Sequence, residues 1–156
     1  MSIGRLVSSI GGLAVGAALL GGCGTPAPGG GSPAVATASA AATAAPPVVA
    51  VALKEFSVTP QNTSAPAGRV TLRVQNSGAL QHELLVVRSD VAATALPLKD
   101  GKDLDPSKVE VVAQTPPFDA GQSRELPVTL TAGTYVLLCN VSGHYLTGMA
   151  VAFTVR

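Results

Sequence analysis

The sequence has few of the residue types from which chemically specific sites are built. Among 156 residues there are two cysteines, two histidines and two methionines, and there is no tryptophan. Aromatic residues make up only 3% of the chain, so a hydrophobic core must come from Val, Leu and Ala with a few Phe and Tyr. A soft-metal site must therefore be assembled from these few thiol, imidazole and thioether side chains.

The chain also lacks an excess of charge of either sign. The formal net charge is +1, and loss of the N-terminal segment described below would remove Arg5 and leave nine basic and nine acidic residues. Nucleic-acid binding depends on a basic surface that neutralises phosphates. We therefore expect no nucleic-acid partner.

Residues 1–22 have the features of an export signal. One positive residue, Arg5, precedes the apolar stretch Leu6–Leu20, and small residues follow. This pattern is typical of a cleaved signal peptide, and it is too short and too rich in glycine for a convincing membrane span. We expect the protein to be exported.

The end of this segment, Leu20-Gly21-Gly22-Cys23, resembles the lipobox of bacterial lipoproteins. The resemblance implies that Cys23 becomes the lipidated first residue, with the protein anchored to the outer face of the cytoplasmic membrane or on the periplasmic side. Ordinary secretion, or a poor transmembrane anchor, with an incidental Cys23 is the alternative. If Cys23 is lipidated, no partner remains to form a disulfide with Cys139.

Residues 23–47 are predicted to be a flexible tether. After Cys23 the segment is nearly all Ala, Gly, Pro, Ser and Thr, without a charged or aromatic residue. Such a composition favours neither helix nor strand. The ordered domain is therefore predicted to be 48–156.

The domain is predicted to be an all-β, Greek-key β-sandwich of about seven strands. Short Val-rich runs alternate with Pro, Gly, Asn and Asp, and no strong helical pattern is present. Within Ser89–Ser107, weak helix character and turn residues indicate a flanking insertion with a short helix. The predicted strands are Val48–Val58, Arg69–Gln75, Gln81–Arg88, Lys108–Ala113, Ser123–Leu130, Thr134–Asn140 and Met149–Val155.

Four soft or imidazole side chains of this domain can be collected into one site. Cys139, His144 and Met149 share the loop between the last two strands, and His82 begins a central strand. Two imidazoles, a thiolate and a weak thioether form the ligand set of electron-transfer copper sites. Each of Gly143 and Gly148 precedes a predicted ligand, where tight loop geometry favours a residue without a Cβ.

With these residues in view, Val48–Arg156 looks like a cupredoxin, the family that includes plastocyanin, auracyanin and sulfocyanin. The family pattern is an upstream histidine followed by Cys, His and Met near the C-terminus, here with four residues between Cys139 and His144 and four between His144 and Met149. The resemblance implies one copper ion that cycles between Cu(I) and Cu(II), held by His82, Cys139, His144 and Met149. It also implies a one-electron carrier that docks transiently, near His144, with a redox donor and a redox acceptor.

Two departures from the family pattern concern the surroundings of the ligands. Glu83 stands where many cupredoxins have Asn, and Asn140 stands where many have Ser or Thr. Both are candidates for contacts that support the ligands, although at Glu83 a solvated charge is the more common interpretation. Tyr145 and Leu146, beside His144, are either ordinary packing residues or an apolar rim for docking.

The same ligand set leaves a second function open, namely copper storage or delivery at the cell surface. An enzyme is disfavoured, because copper oxidases and nitrite reductases need several further histidines and none remains after His82 and His144. A thiol hydrolase would lack a third, orienting group, and a catalytic zinc rarely takes a methionine such as Met149. We expect a monomer that is not an enzyme.

Overall fold

The structure is a computed structural model that describes residues 45–156. The predicted export signal, Cys23 and all but the last three residues of the predicted tether lie outside this range. Within the described range, no helix has the length and apolar character needed to cross a membrane.

β-Strands are the main regular secondary structure of the described residues. The strands are β1 (Val48–Lys54), β2 (Ser57–Pro60), β3 (Ser64–Ala65), β4 (Gly68–Asn76), β5 (Leu85–Arg88), β6 (Leu98–Lys99), β7 (Asp103–Leu104), β8 (Glu110–Gln114), β9 (Ser123–Leu130), β10 (Gly133–Leu138) and β11 (Ala150–Val155). The one helical element among them is a 3-10 turn at Pro106–Lys108. The predicted all-β class is confirmed.

Two sheets make the sandwich. The first has the strand order β2-β1-β4-β9, in which β1 and β4 are parallel and the other pairs are antiparallel. The second has the order β3-β11-β10-β5-β8, and β6 and β7 form a separate small hairpin. Strand β4 alternates as its sequence predicts, with Val70, Leu72 and Val74 fully buried.

The second sheet is covered on both faces. On one face, Leu84, Val86 and Leu137 join the core against the first sheet. On the other, Leu85, Val87, Val136 and Leu138 pack with Leu96, Leu104 and Tyr145. This two-sided burial explains why residues 84–87 are apolar without alternation, as expected for a central strand.

The predicted first strand Val48–Val58 is wrong as a single element. It is a hairpin, in which Lys54 pairs with Ser57 and Glu55 and Phe56 form the turn. The spacing of the buried residues shows where the strand is interrupted. Val49, Val51 and Leu53 are buried at every second position, but the next buried residue, Val58, is five positions after Leu53. A continuous strand would turn Val58 outward.

The insertion at Ser89–Ser107 is present, but its predicted helix does not form at Val91–Leu96. Those residues make turns, and the β6–β7 hairpin follows. The single helical turn lies later, at Pro106–Lys108, where the Asp105 side chain accepts a hydrogen bond from the Ser107 backbone N–H. The proline at the first helical position and the Asp cap are both features that favour a helix start.

Candidate metal centre

His82 and Cys139 reach the same end of the sandwich from different strands. His82 precedes β5 and forms an isolated bridge with Phe118, to whose carbonyl it donates a 3.2 Å hydrogen bond. Cys139 directly follows β10, and its N–H donates to the Met149 carbonyl at 3.0 Å. The β10–β11 pairing thus continues to the two ends of the loop that carries His144.

The loop is closed by its own backbone. His144 N–H donates to the Val141 carbonyl at 2.8 Å, and Met149 N–H donates to the His144 carbonyl at 3.1 Å. Gly143 has a φ of 81° and Gly148 a φ of 102°, a region that side chains with a Cβ rarely occupy. The predicted need for glycine before each of these two candidate ligands is confirmed.

Three potential ligand atoms converge in the interior. The Nδ1 atoms of His82 and His144 are 3.1 Å apart, and the Cys139 Sγ lies 3.7 Å and 3.5 Å from them, respectively. All three residues are buried, and they form the one group of at least three metal-ligating His, Cys, Asp or Glu residues within 45–156.

The size of this triangle suits a transition-metal ion. A point equidistant from the three atoms would lie about 2.0 Å from each, near the ~2.0–2.3 Å typical of metal bonds to imidazole nitrogen and thiolate sulfur. The residues therefore fit a metal ion by both donor type and spacing.

The Glu55 carboxylate determines which ring nitrogen of a neutral His82 carries the proton. Its Nε2 lies 3.1 Å from the Glu55 carboxylate, which can only accept, so Nε2 carries the proton and Nδ1 keeps a free lone pair. Hydrogen bonds, first of all from the Leu80 backbone, lower the pKa of Glu55 to about 2. Glu55 is therefore a carboxylate at neutral pH.

The surroundings of Cys139 and His144 also bear on metal binding. Burial raises the pKa of the Cys139 thiol, and the Glu83 backbone N–H, 3.5 Å from the sulfur, opposes that shift by stabilising the thiolate. Burial lowers the pKa of His144 and so favours its neutral form. Neutral imidazole and thiolate are the forms that bind metals.

The remaining predicted site residues occupy different positions. Met149 is fully buried in the same core cluster as Cys139, and its backbone is hydrogen-bonded to the backbones of Cys139 and His144. Glu83 contacts the site through its backbone, and burial raises the pKa of its half-buried carboxyl. Asn140 instead exchanges hydrogen bonds with the Leu104 backbone, at 2.7 Å and 3.3 Å. It therefore joins the loop that carries His144 to β7.

The two residues considered for a docking rim differ in exposure. Leu146 is 60% exposed, whereas Tyr145 is 5% exposed. The Tyr145 hydroxyl accepts from Leu96 N–H and donates to the Ala93 carbonyl, both at 2.9 Å. Tyr145 is thus a packing residue, and Leu146 alone of the pair presents its side chain to solvent.

Sequence reasoning missed two residues of the β1–β2 turn. Glu55 holds His82, and the ring of Phe56 packs edge-on against His144 with centroids 5.3 Å apart. The shift of the inward positions between Leu53 and Val58 was a signal that a turn lies here. It did not indicate which side chains the turn would contact.

Sequence reasoning also missed Asn76 and Asp103. Asn76 is fully buried and spans the loop before His82 by donating to the Leu80 and Phe118 carbonyls. Asp103 accepts a 2.7 Å hydrogen bond from the Gly143 backbone. The contacts of Asn76 with Phe118 and of Asp103 with Gly143 have no local sequence signal, because each joins residues 40 or more positions apart.

Comparison with solved structures identifies the fold class as that of the cupredoxins. Auracyanin A from Chloroflexus aurantiacus, described as a "blue" copper protein, is 25% identical and aligns over 72% of this chain and 100% of its own, with a TM-score of 0.52.

Two further cupredoxins agree with this fold. An auracyanin from Roseiflexus castenholzii is 23% identical over 70% of this chain and 96% of its own, with a TM-score of 0.51. An azurin from Methylomonas sp. strain J is 18% identical over 72% of this chain and 99% of its own, with a TM-score of 0.52. No protein-family model and no curated protein sequence matches the chain. The predicted cupredoxin-like sandwich is confirmed.

Proposed function

We propose that the protein is a one-electron carrier with a single type 1 copper site held by His82, Cys139 and His144, with Met149 as a weak fourth ligand. The observation that carries this proposal is the buried triangle of two imidazole nitrogens and one sulfur, sized for a metal ion. A blue copper protein of the same fold, 25% identical to this chain, supports the choice of copper.

Copper, when bound, would supply a one-electron couple between Cu(I) and Cu(II). The chain would supply a water-poor site with little freedom to rearrange. His82 is tied to Glu55, and the His144 loop is closed by its own hydrogen bonds and tied to β7. A ligand cage that changes little between oxidation states keeps the reorganisation on electron transfer small.

The surface next to His144 fits brief contact with redox partners. His144 is 7% exposed. Phe56, whose ring packs against His144, is 45% exposed, and Leu146, two positions after His144 in the sequence, is 60% exposed. A small apolar area favours low-area, short-lived docking. Donor and acceptor proteins would meet the protein here, and it would transform no substrate itself.

The location completes the proposal. An export signal, lipidation at Cys23 and a tether to residue 47 would hold the domain at the outer face of the cytoplasmic membrane or on the periplasmic side. The composition of residues 1–47 supports this arrangement.

The test of the copper site is Cys139→Ser. Intense visible colour requires the thiolate, so the copper-loaded wild type should show a strong visible band and the variant should lose it. Ser142→Ala, an exposed change in the same loop, is the matched control and should keep the band. An unchanged spectrum in Cys139→Ser would refute the ligand set.

Storage or delivery of copper is distinguished by kinetics rather than by ligands. A carrier should cycle reversibly between its oxidation states and retain its ion when mixed with a metal-free Cu(I) chelating protein. Rapid transfer of Cu(I) to that protein, without reversible cycling, would support delivery instead.

A further inference from the structure

The Glu55 carboxylate occupies a site that is built to hold it. Its Oε1 accepts hydrogen bonds from Ala79 N–H at 2.8 Å and Leu80 N–H at 2.7 Å, and the same atom lies 3.1 Å from His82 Nε2. A carboxylate that accepts two backbone N–H bonds is held in its charged form. The charge is therefore fixed in position directly behind one candidate ligand.

Gly78 leaves the space that the carboxylate fills. A Cβ at this position would overlap both carboxylate oxygens of Glu55. Gly78 is not among the glycines with positive φ, so the glycine is needed for this close approach and not for its backbone conformation.

Asn76 fixes the loop that provides the two N–H groups. Its Oδ1 accepts from Gly78 N–H at 3.0 Å, and its Nδ2 donates to the Leu80 carbonyl at 2.7 Å. The side chain is fully buried. Three elements therefore meet at the Glu55 Oε1 atom: the β1–β2 turn that carries Glu55, the loop after β4 and the bridge residue His82.

We propose that Glu55 is a positioning residue of the metal centre, which fixes His82 with its proton on Nε2 and places a permanent negative charge behind that ligand. The copper part of this inference rests on the proposed function. The part that concerns the His82 tautomer does not.

Two separate effects follow from this arrangement. The hydrogen bond aims Nδ1 into the site and makes the imidazole a better donor, and loss of such a partner typically lowers metal affinity about 10–100-fold. The negative charge stabilises a doubly charged ion more than a singly charged one. Glu55 should therefore favour Cu(II) over Cu(I) and lower the reduction potential.

The first measurement uses metal-free protein. Nitrogen NMR of the His82 imidazole in the full chain should show a proton on Nε2 in the wild type and in Glu55→Gln, which keeps an acceptor oxygen. Glu55→Ala removes that acceptor, and Gly78→Ala displaces the carboxylate while retaining it. Both variants should lose the Nε2–H preference, which a merely structural role for Glu55 would not predict.

The second measurement uses copper. In Glu55→Gln the affinity for Cu(II) should fall about tenfold or more while the affinity for Cu(I) changes less, and the potential should rise. Glu125→Gln, which removes an exposed carboxylate paired with Arg73, is the charge-matched control and should behave like the wild type.

The outcomes separate this inference from the proposed function. An unchanged His82 tautomer in both Glu55→Ala and Gly78→Ala would overturn the positioning role, and an unchanged ratio of Cu(II) to Cu(I) affinity in Glu55→Gln would overturn the role of the charge. If the wild type gives no blue copper spectrum but the tautomer changes as expected, the positioning role stands and the proposed function fails.

Discussion

Glu55 and Phe56 give the two candidate histidine ligands different environments from a single turn. Glu55 holds the far nitrogen of His82 with a charged acceptor, while Phe56 lays the edge of an apolar ring against His144 at an interplanar angle of 76°. His82 is fully buried, whereas His144 is 7% exposed. The arrangement separates an anchored inner candidate ligand, His82, from an outer candidate ligand, His144, that lies next to the surface.

At the residue scale, Met149→Leu tests the fourth ligand. A lone-pair donor stabilises Cu(II) more than Cu(I), so replacing the thioether by a hydrocarbon should raise the potential while the visible band remains. Voltammetry and absorption of the copper-loaded protein measure these two quantities. Because the swap nearly conserves volume at a fully buried position, the free energy of unfolding of the metal-free protein should fall by less than about 1.5 kcal/mol.

Two results would contradict this expectation. An unchanged potential would show that Met149 only fills the core, and loss of the band would show that the three-atom site cannot hold copper without it. Met149→Ala is not a substitute for this variant, because it would open a cavity and confound the comparison.

At the scale of elements, the insertion after β5 forms a clasp, a set of hydrogen bonds that holds the loop between Cys139 and Met149. Asp103 accepts from Gly143 N–H, Asn140 exchanges two hydrogen bonds with Leu104, and the Tyr145 hydroxyl bridges Ala93 and Leu96. These contacts join the loop to a segment that lies 35 or more positions earlier in the chain. The insertion therefore restrains the loop as well as covering the second sheet.

Tyr145→Phe tests this clasp. It removes one hydroxyl and leaves the buried Leu96 N–H without a partner, so the free energy of unfolding of the metal-free protein should fall by about 1–3 kcal/mol. Urea denaturation measures the change. The neighbouring Leu146→Ala, at a 60% exposed position, should stay within about 0.5 kcal/mol of the wild type, and equal losses in the two variants would contradict the clasp.

The sequence was a good guide wherever a local pattern determined structure. The alternation of Val70, Leu72 and Val74 predicted β4, and the unbroken apolar run at 84–87 predicted a strand covered on both sides. The residue types and the spacing of Cys139 and His144 predicted that both belong to one site, and with His82 they do converge.

The contacts that support the candidate ligands could not be predicted in the same way. Glu55 meets His82 only because β1 lies beside β4 and the loop after β4 folds back over the turn. The helix expected at Val91–Leu96 is absent because local helix propensity there is weak and Leu96 packs instead in the cluster with Tyr145. Such features are set by tertiary contacts, which a single sequence does not display.

At the scale of the whole molecule, the domain has balanced charge and carries its proposed electron exit at one end. Its nine basic and nine acidic residues give little long-range attraction to a charged partner. Encounters would then depend on keeping the domain near its partners. A membrane tether would serve that purpose by confining the domain to a thin layer above the membrane.

Lipidation at Cys23 is the prediction that decides this arrangement. Each buried CH₂ of an acyl chain contributes about 0.8 kcal/mol to membrane binding, whereas residues 24–47 offer no apolar run of comparable strength. Mass spectrometry of the protein from the membrane fraction should therefore show an acylated N-terminus at Cys23. Cys23→Ser should remove the acyl group while preserving the visible copper band, because the four candidate ligands all lie within 82–149. An unmodified N-terminus at Cys23, or wild-type protein found wholly in the soluble fraction, would refute the anchor and leave a secreted carrier that must find its partners by free diffusion.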